Sequence, residues 1–388
     1  MNYQYEHIVP SVHHVKTPPR VLVAMSGGVD SSTVAYLFKS AGYDVIGVFI
    51  KMWYPEGEEW TNTRDNLCCD ISTILGVKQV ASQLDIPLYV IDMAQEFKER
   101  VVDNYIEEYE QGRTPNPCSK CNKFIKLGFL WEKAQQYGAQ YLATGHYVTN
   151  SNGGIARATD TKKDQTYFLW EIEAQVVPHL LFPLGTLTKP EVREIAKAAN
   201  LPVFDKEESQ GTCFIVEKNN KKFLQVYAKR LTVPGEVVDE KGNVLGEHRG
   251  LVFYTIGQRE GLGDEVAGKY MKNHKGDTAG TDAPKLYVKS INVERNQLIV
   301  AENNELFETH LTAKEINILD QRLTSLIGSE LDVQIRGGHK PDRARLTKLD
   351  LNTSTFTVEF LDSVRAITPG QSAVLFCDGQ LLGGGIIV

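Results

Sequence analysis

Residues 20–42, RVLVAMSGGVDSSTVAYLFKSAG, decide the fold. RVLVAMS is a short apolar run of the kind that forms a buried strand. SSTVAYLFKSAG carries helical spacing and is closed by Gly42. Between them lies SGGVDSS, residues 26–32. Gly27 and Gly28 remove side chains where the backbone must curl, so that consecutive amides can aim at one anion. The helix behind adds its unpaired N–H groups and the positive end of its dipole. Ser26, Ser31 and Ser32 supply hydroxyl donors, and Asp30 is placed to hold Mg²⁺ or an N-terminal amide. No Gly-Lys-Ser/Thr follows, so this is not a Walker A loop, and the Gly-x-Gly-x-x-Gly dinucleotide spacing is also missing.

The alternation continues outward from this stretch. YDVIGVFIKMW and LYVIDM read as further buried strands, DISTILGVKQVASQLDIP and QEFKERVVDNYIEEYEQG as helices. A Cys-x-x-Cys loop, NPCSKC, then precedes a helix at IKLGFLWEKAQQYG and a strand at AQYLATGHYV. Strands separated by helices of this length imply a doubly wound parallel sheet with helices on both faces. TKPEVREIAKAANLP reads as a helix with Pro190 in its first turn. From about residue 217 glycine turns multiply, and from residue 284 the chain is nearly all alternating, as in a small antiparallel barrel. The expected organisation is an N-terminal extension (1–19), an α/β catalytic domain (20–216), a small central domain with a linker at 271–283 (217–283), and a C-terminal β-barrel (284–388).

The chain has 388 residues, 42% of them hydrophobic and 23% charged, which suits two or three domains with a sizeable core. No apolar run approaches a membrane span, and the first twenty residues lack the pattern of a signal peptide. Six cysteines are too sparse for a secreted disulfide scaffold. A reducing, cytoplasmic setting is expected, where Cys-x-x-Cys is catalytic or metal-binding. The net charge of −7 gives no global pull toward polyanions, so nucleic-acid contact must come from local basic surface.

The string Ser26–Ser32 resembles the Ser-Gly-Gly-x-Asp-Ser signature of the PP-loop ATP pyrophosphatases. That superfamily splits ATP into AMP and pyrophosphate and uses AMP to activate an oxygen; it includes synthetases, amidotransferases and thiolases. The cysteines choose among these. Replacing C=O by C=S needs an activated oxygen, a sulfur nucleophile and a second thiol to release the product, with at least one thiol ionised well below the free value of about 8.5. Cys121 and Cys213 lie in segments that leave the sheet region, and both can converge above the phosphate loop at the carboxyl ends of the strands.

Seven motifs in order, AMSGGVDSS, GRTPNPCSKCNKFIK, LATGHYV, KKDQTYFL, SQGTCFI, HRGLVFYTIGQREGLG and TPGQSAVLF…LGGGIIV, resemble the tRNA-specific 2-thiouridylases (MnmA/TrmU type) from residue 20 to the end. The resemblance implies ATP-dependent 2-thiolation of the wobble uridine (position 34) in the anticodon loop of tRNA, with the tRNAs for Lys, Glu and Gln as substrates. A cysteine desulfurase or sulfur-relay protein would supply the sulfur. It implies ATP contacts at Ala24, Met25, Ser26, Gly27, Gly28, Val29, Asp30, Ser31, Ile50 and Gly145, with Cys121 as nucleophile and Cys213 as the persulfide carrier. Asn116, Pro117 and Cys118 would meet the target base, and His146, Lys163, Asp164, Gln165, Arg336, Gly337 and Gln371 the tRNA.

One position departs from the pattern. Many members carry aspartate where this chain has Cys118, which puts a carboxylate's acid–base role in doubt. Cys118, Cys121 and Cys213 also match the three-thiolate arrangement with which related thiolases bind a [4Fe–4S] cluster, so cluster chemistry stands beside persulfide chemistry. Zinc fits less well for want of a fourth ligand. Other PP-loop synthetases and a non-catalytic sulfur carrier or RNA-binding protein are rival readings. Cys68 and Cys69 are expected to be ordinary thiols and Cys377 a small core residue. EKNNKKFLQVYAKR (217–230) is either a solvated face or a phosphate-contacting stretch.

Overall fold

The computed structural model describes residues 4–55, 71–207, 211–215, 219–275 and 285–388. The opening stretch forms β1 (Arg20–Ala24) and α1 (Val29–Ser40), with Gly42 at φ +92° closing the helix. β2 (Asp44–Lys51), α2 (Ile71–Gln83), β3 (Leu88–Asp92) and β4 (Tyr141–Ala143) follow, together with the two-residue strand Leu180–Leu181. All pair in parallel, in the order β3-β2-β1-β4-(180–181), with β1 central. Alternation along the strands divides the core. Leu22, Ile46, Val48 and Leu142 face one side; Val21, Val23, Val45 and Phe49 face the other, against Val34 and Leu37 of α1 and Val77 and Val80 of α2. This is the expected doubly wound sheet.

Two local expectations change. The Cys-x-x-Cys is not in a loop. It occupies the first turn of a helix over residues 117–136, opened by Pro117 and running through a π-helical segment, Asn122–Phe129, into Leu130–Gln136. Proline at the first helical position needs no N–H partner, so the helix can start there. We call this helix α4; α3 is the helix over residues 94–110, which also carries a π segment, Lys98–Val102. The expected strand at 139–148 is only three residues long. It is cut short because Gly145 turns in to pack against Asp30 and Ser31, where an added Cβ would lie 3.0 Å from Asp30 Cβ.

The second half holds two sheets. Strands Gly235–Val238, Val244–His248, Leu286–Asn292 and Gln297–Glu302 form one. Residues 286–302, assigned by alternation to the C-terminal barrel, therefore belong with the central segment: Gln297–Ile299 runs parallel to Glu236–Val238, and Leu298, Val300, Val237 and Leu245 share a core. Alternation reports a half-buried strand but not its partner. Residues 271–275, read as linker, complete the helix Asp264–Lys275, which buries Val266 and Tyr270 one turn apart. The remainder of the expected linker, residues 276–283, lies outside the described residues, as do Cys68 and Cys69.

The last six strands, from Phe307–Ile318 to Gln380–Ile387, form an antiparallel barrel closed by pairing of the first with the last. A hairpin from the first half, Thr149–Ser151 with Gly154–Ala156, extends this sheet at Gln380. Cys377 is half-buried against the barrel core. Among the described residues no helix is long and apolar enough to cross a membrane.

The π segment of α4 makes a test of the helix geometry. Alanine normally stabilises a helix by about 1 kcal/mol over glycine. At Gly128, however, a Cβ would collide with the Lys123 carbonyl oxygen, five residues back in the π turn. Gly128→Ala is expected to lower stability in urea unfolding by roughly 1–3 kcal/mol; a stabilised variant would show that the π turn is not formed.

Candidate active site

The site lies at the carboxyl edge of the parallel sheet, the edge at which folds of this type bind ligands. β1 ends at Ala24, and the Met25 amide still donates to Val48 O at 2.8 Å. Gly27 then takes φ +78°, a conformation open to glycine but costly for other residues, and an added Cβ there would sit 2.6 Å from Thr73 Cγ2. Gly28 caps α1, Val29 is its first residue, and Ser32 Oγ and Ser31 Oγ donate to Gly28 O at 2.9 and 3.3 Å. The Ser26 and Ser31 hydroxyls lie 3.2 Å apart across the mouth of the loop. Ile50, at the end of β2, and Gly145, after β4, border the same edge.

Asp30 does not offer a carboxylate to a cation from solution. Lys189 Nζ donates to both of its oxygens at 2.7 and 2.8 Å, and Tyr147 Oη donates to Oδ1 at 2.9 Å. Lys189 is buried at the start of the helix Lys189–Ala198. A second lysine, Lys206, donates to Gly27 O at 3.2 Å and Thr73 Oγ1 at 3.4 Å. In the sequence Lys189 stands out only as the neighbour of the helix-starting Pro190 and Lys206 not at all, because neither lies near the glycine motif in the chain. Mg²⁺ does not fit on Asp30 with its oxygens so engaged.

The cysteine helix is held from three sides. From the barrel, Gln371 Nε2 donates to Thr114 O and Pro115 O, both at 3.0 Å. The Thr114 amide donates to Pro369 O at 2.9 Å, and Asn116 Nδ2 to Ser372 Oγ at 3.1 Å. From the connecting segment, buried Glu171 accepts from Lys120 at 2.5 Å and Lys123 at 3.2 Å, and Asn122 Nδ2 donates to Phe168 O at 2.9 Å. From below, Cys121 is buried in the core that includes Phe97, Tyr105 and Ile125.

Pro117 begins the helix, and Cys118 reaches solvent. The dense protein around Cys118 nevertheless raises its thiol pKa, with the Lys126 ammonium acting in the opposite direction. The same ammonium acts on His146, which burial and that charge push down to about 3. His146 Nδ1 lies 2.7 Å from Thr144 Oγ1. Cys118, Lys126 and His146 thus share one electrostatic neighbourhood.

Cys213 is exposed in a turn, and its neighbour Phe214 is fully buried. Phe214 packs edge-on against Tyr105 at 5.3 Å, and Tyr105 in turn lies within the electrostatic reach of Cys118. One aromatic group therefore underlies both cysteine segments. Among the described residues, no three His, Cys, Asp or Glu side chains gather into a group able to hold a metal ion. The three-thiolate cluster expected as an alternative is therefore not favoured: Cys118 faces solvent where its helical neighbour Cys121 is buried in core.

The residues expected to touch RNA divide. Lys163 is half-exposed in a turn beside exposed Lys162. Asp164 accepts from the Ala158 and Thr166 amides, each at 2.9 Å, and Gln165 Oε1 from the Tyr147 amide at 3.0 Å, so both shape that turn. Arg336 donates to Arg365 O at 2.6 Å and Ala366 O at 3.1 Å, Gly337 packs on Phe168, and Gln371 holds the Thr114–Pro115 carbonyls. These last three build the rim between barrel and cysteine helix.

A glycine-rich anion loop on a parallel sheet, a cysteine helix beside it and a β-barrel clamped onto that helix define a nucleotide-using α/β protein with a thiol site. The family models agree. A tRNA methyl transferase HUP domain matches residues 19–217, a tRNA methyl transferase PRC-barrel domain residues 221–302, and an aminomethyltransferase beta-barrel domain residues 308–387. The tRNA-specific 2-thiouridylase MnmA of Clostridium perfringens (strain ATCC 13124) is 40% identical over 376 residues, covering 96% of this chain and 99% of that protein. Its counterpart in Clostridium acetobutylicum is 40% identical over 374 residues, covering 95% and 99%. The chain belongs to the MnmA family of tRNA-specific 2-thiouridylases. A solved structure, the U34-tRNA thiolase NcsA from Methanococcus maripaludis with its [4Fe-4S] cluster, is 16% identical at a TM-score of 0.35, covering 58% of this chain and 72% of that one; a likeness so weak carries nothing for the present site.

The His146 environment makes a pH prediction. Above pH 6.5 the imidazole is neutral both folded and unfolded. Below it the unfolded chain takes up a proton that the native state refuses until about pH 3, so this group makes stability fall as pH falls from 6.5 toward 3. Urea unfolding of wild type and His146→Gln between pH 7 and 4 is expected to show a shallower decline in the variant. Parallel profiles would mean that the imidazole is not held neutral.

Proposed function

We propose that this protein is the ATP-dependent enzyme that converts the wobble uridine (position 34) of tRNA to 2-thiouridine, releasing AMP and pyrophosphate. The observation that carries the reading is the Gly145–His146 turn, which packs on Asp30 and Ser31 of the phosphate loop and shares the Lys126 ammonium with Cys118 of the cysteine helix, in a chain 40% identical over nearly its whole length to proteins named for this activity. The anticodon loop is single-stranded, so its base can turn out of the stack into the cleft without melting a helix. The loop from Ala24 to Ser31 holds the ATP phosphates, with Ile50 and Gly145 beside the adenosine. Mg²⁺ bound with the nucleotide would neutralise charge on those phosphates, while Asp30 stays engaged by Lys189 and Tyr147.

The uridine O2 attacks the α-phosphorus and pyrophosphate leaves. The terminal sulfur of a persulfide on Cys213 then adds at C2, and AMP leaves with the C–O bonding pair. The Cys121 thiolate attacks Cys213 Sγ, breaks the S–S bond to the substrate and frees the 2-thiouridine. The resulting Cys121–Cys213 disulfide needs an external thiol reductant, and a cysteine desulfurase or sulfur-relay protein reloads Cys213. Asn116, Pro117 and Cys118 line the base pocket. Lys163 and the turn shaped by Asp164 and Gln165 face the tRNA arm, as does the rim of Arg336, Gly337 and Gln371. The tRNAs for Lys, Glu and Gln are the substrates this reading favours, in a cytoplasmic setting.

The chemistry separates in two variants. Cys121→Ser and Cys213→Ser are each expected to abolish 2-thiouridine formation, measured by mass spectrometry of digested tRNA, while retaining tRNA-dependent pyrophosphate release. Thiolation surviving either change would overturn the sulfur pathway; loss of tRNA-dependent pyrophosphate release in the wild type would overturn the enzyme assignment.

A further inference from the structure

The phosphate loop carries no lysine of its own, yet two ammonium groups reach it from a distant part of the chain, and they differ. Lys189 is fully matched, with both its short bonds going to the two oxygens of one carboxylate, Asp30. Among the described residues, Lys206 is held only by neutral oxygens, the Gly27 carbonyl at 3.2 Å and the Thr73 hydroxyl at 3.4 Å. Those bonds are long for an ammonium donor, which with an anionic acceptor closes to about 2.7–2.9 Å. Its backbone is fixed independently: Arg193, on the helix that Lys189 begins, donates to Phe204 O at 2.8 Å and to Lys206 O at 3.1 Å. A positive charge with no ion pair among the described residues is therefore anchored beside the first glycine of the loop, where Ser26 and Ser31 also present hydroxyls.

We propose that Lys206 is the phosphate-binding lysine of this loop, its ammonium exchanging the Gly27 carbonyl and Thr73 hydroxyl for the β- and γ-phosphate oxygens of ATP and staying with pyrophosphate as it leaves. The structure thereby supplies from outside the motif what a Walker A loop carries within it, a lysine on the terminal phosphates. Lys189 serves a different end, holding Asp30 and so the first turn of α1 in place. The assignment rests on the reading that this loop binds ATP.

The test is equilibrium binding of α,β-methylene-ATP and of AMP to wild type, Lys206→Gln and Lys206→Arg, with thermal unfolding of each. Lys206 is exposed, so all three are expected to fold alike. Lys206→Gln is expected to weaken the triphosphate analogue roughly ten- to a hundredfold, the worth of a charge-assisted hydrogen bond, and to leave AMP unchanged. Lys206→Arg is expected to restore most of the loss. Unchanged analogue binding in Lys206→Gln, or equal loss for analogue and AMP, would overturn the assignment while leaving the ATP-binding loop intact. A wild type that binds neither nucleotide would instead overturn both.

Discussion

The site depends first on the grip of the barrel on the segment just before the cysteine helix. Gly370, at φ +90°, brings the Pro369–Ser372 turn so near that a Cβ on it would lie 2.9 Å from Arg113 Cβ and from the Thr114 amide nitrogen. At that distance Gln371 can satisfy two successive carbonyls and Pro369 can take the Thr114 amide. Tyr167 Oη, bonded to Ser372 O at 3.1 Å, ties the connecting segment into the same knot. Backbone groups in such a junction are expensive to leave unpaired once buried. The barrel, separated from the cysteines by some 250 residues of chain, thus fixes where α4 begins and which way Cys118 faces.

A second constraint ties the phosphate loop to the rest of the domain. The Asp30–Lys189 pair sits largely out of water, where its net contribution to stability is small but removal of one partner strands the other's charge, at a cost on the order of 3–5 kcal/mol. Its value is positional. Lys189 opens a helix whose capping box, Thr188 with Glu191, fixes the helix start, so the ammonium cannot drift. That same helix carries Arg193 to the carbonyls around Lys206. One short helix therefore orients the loop's acidic residue and places the cation proposed to meet the nucleotide.

The parallel sheet and its phosphate loop were legible because both write themselves locally: an apolar strand, two glycines and a helix stand in unbroken order at 20–42. The closed barrel was legible from alternation, but its first strand was not. Residues 286–302 alternate as well as any barrel strand, and only their pairing with 235–248 assigns them elsewhere. The helical setting of Cys118 was hidden by the Pro- and Asn-rich start at 115–117, which reads as a loop until Pro117 is recognised as a first-turn residue. Glu171, Lys189 and Lys206 were illegible for a simpler reason. Each acts across 48 or more residues of sequence on groups that no local pattern connects to it.

The cysteine at position 118 changes the charge of the site rather than its shape. An aspartate there would set a carboxyl group beside the Lys126 ammonium, whereas the thiol, its pKa raised by the dense surround, stays neutral at pH 7. His146, neutral down to about pH 3, supplies no compensating acid. Under the proposed chemistry that loss is tolerable. Adenylation places the uridine oxygen in a phosphodiester, and the C–O bond then breaks to release AMP, a phosphate monoester that departs as a stable anion and needs no proton from a neighbouring carboxyl group. A carboxylate at 118 would assist as a base toward the uridine, and that assistance matters least when the nucleophilic oxygen is already an amide-like carbonyl rich in electron density. The positive field around Lys126 favours both the anionic leaving group and an ionised sulfur arriving at C2. A thiol at this position therefore gives up proton transfer in exchange for a more electropositive pocket, a trade that suits a reaction whose attacking and departing groups are both anions.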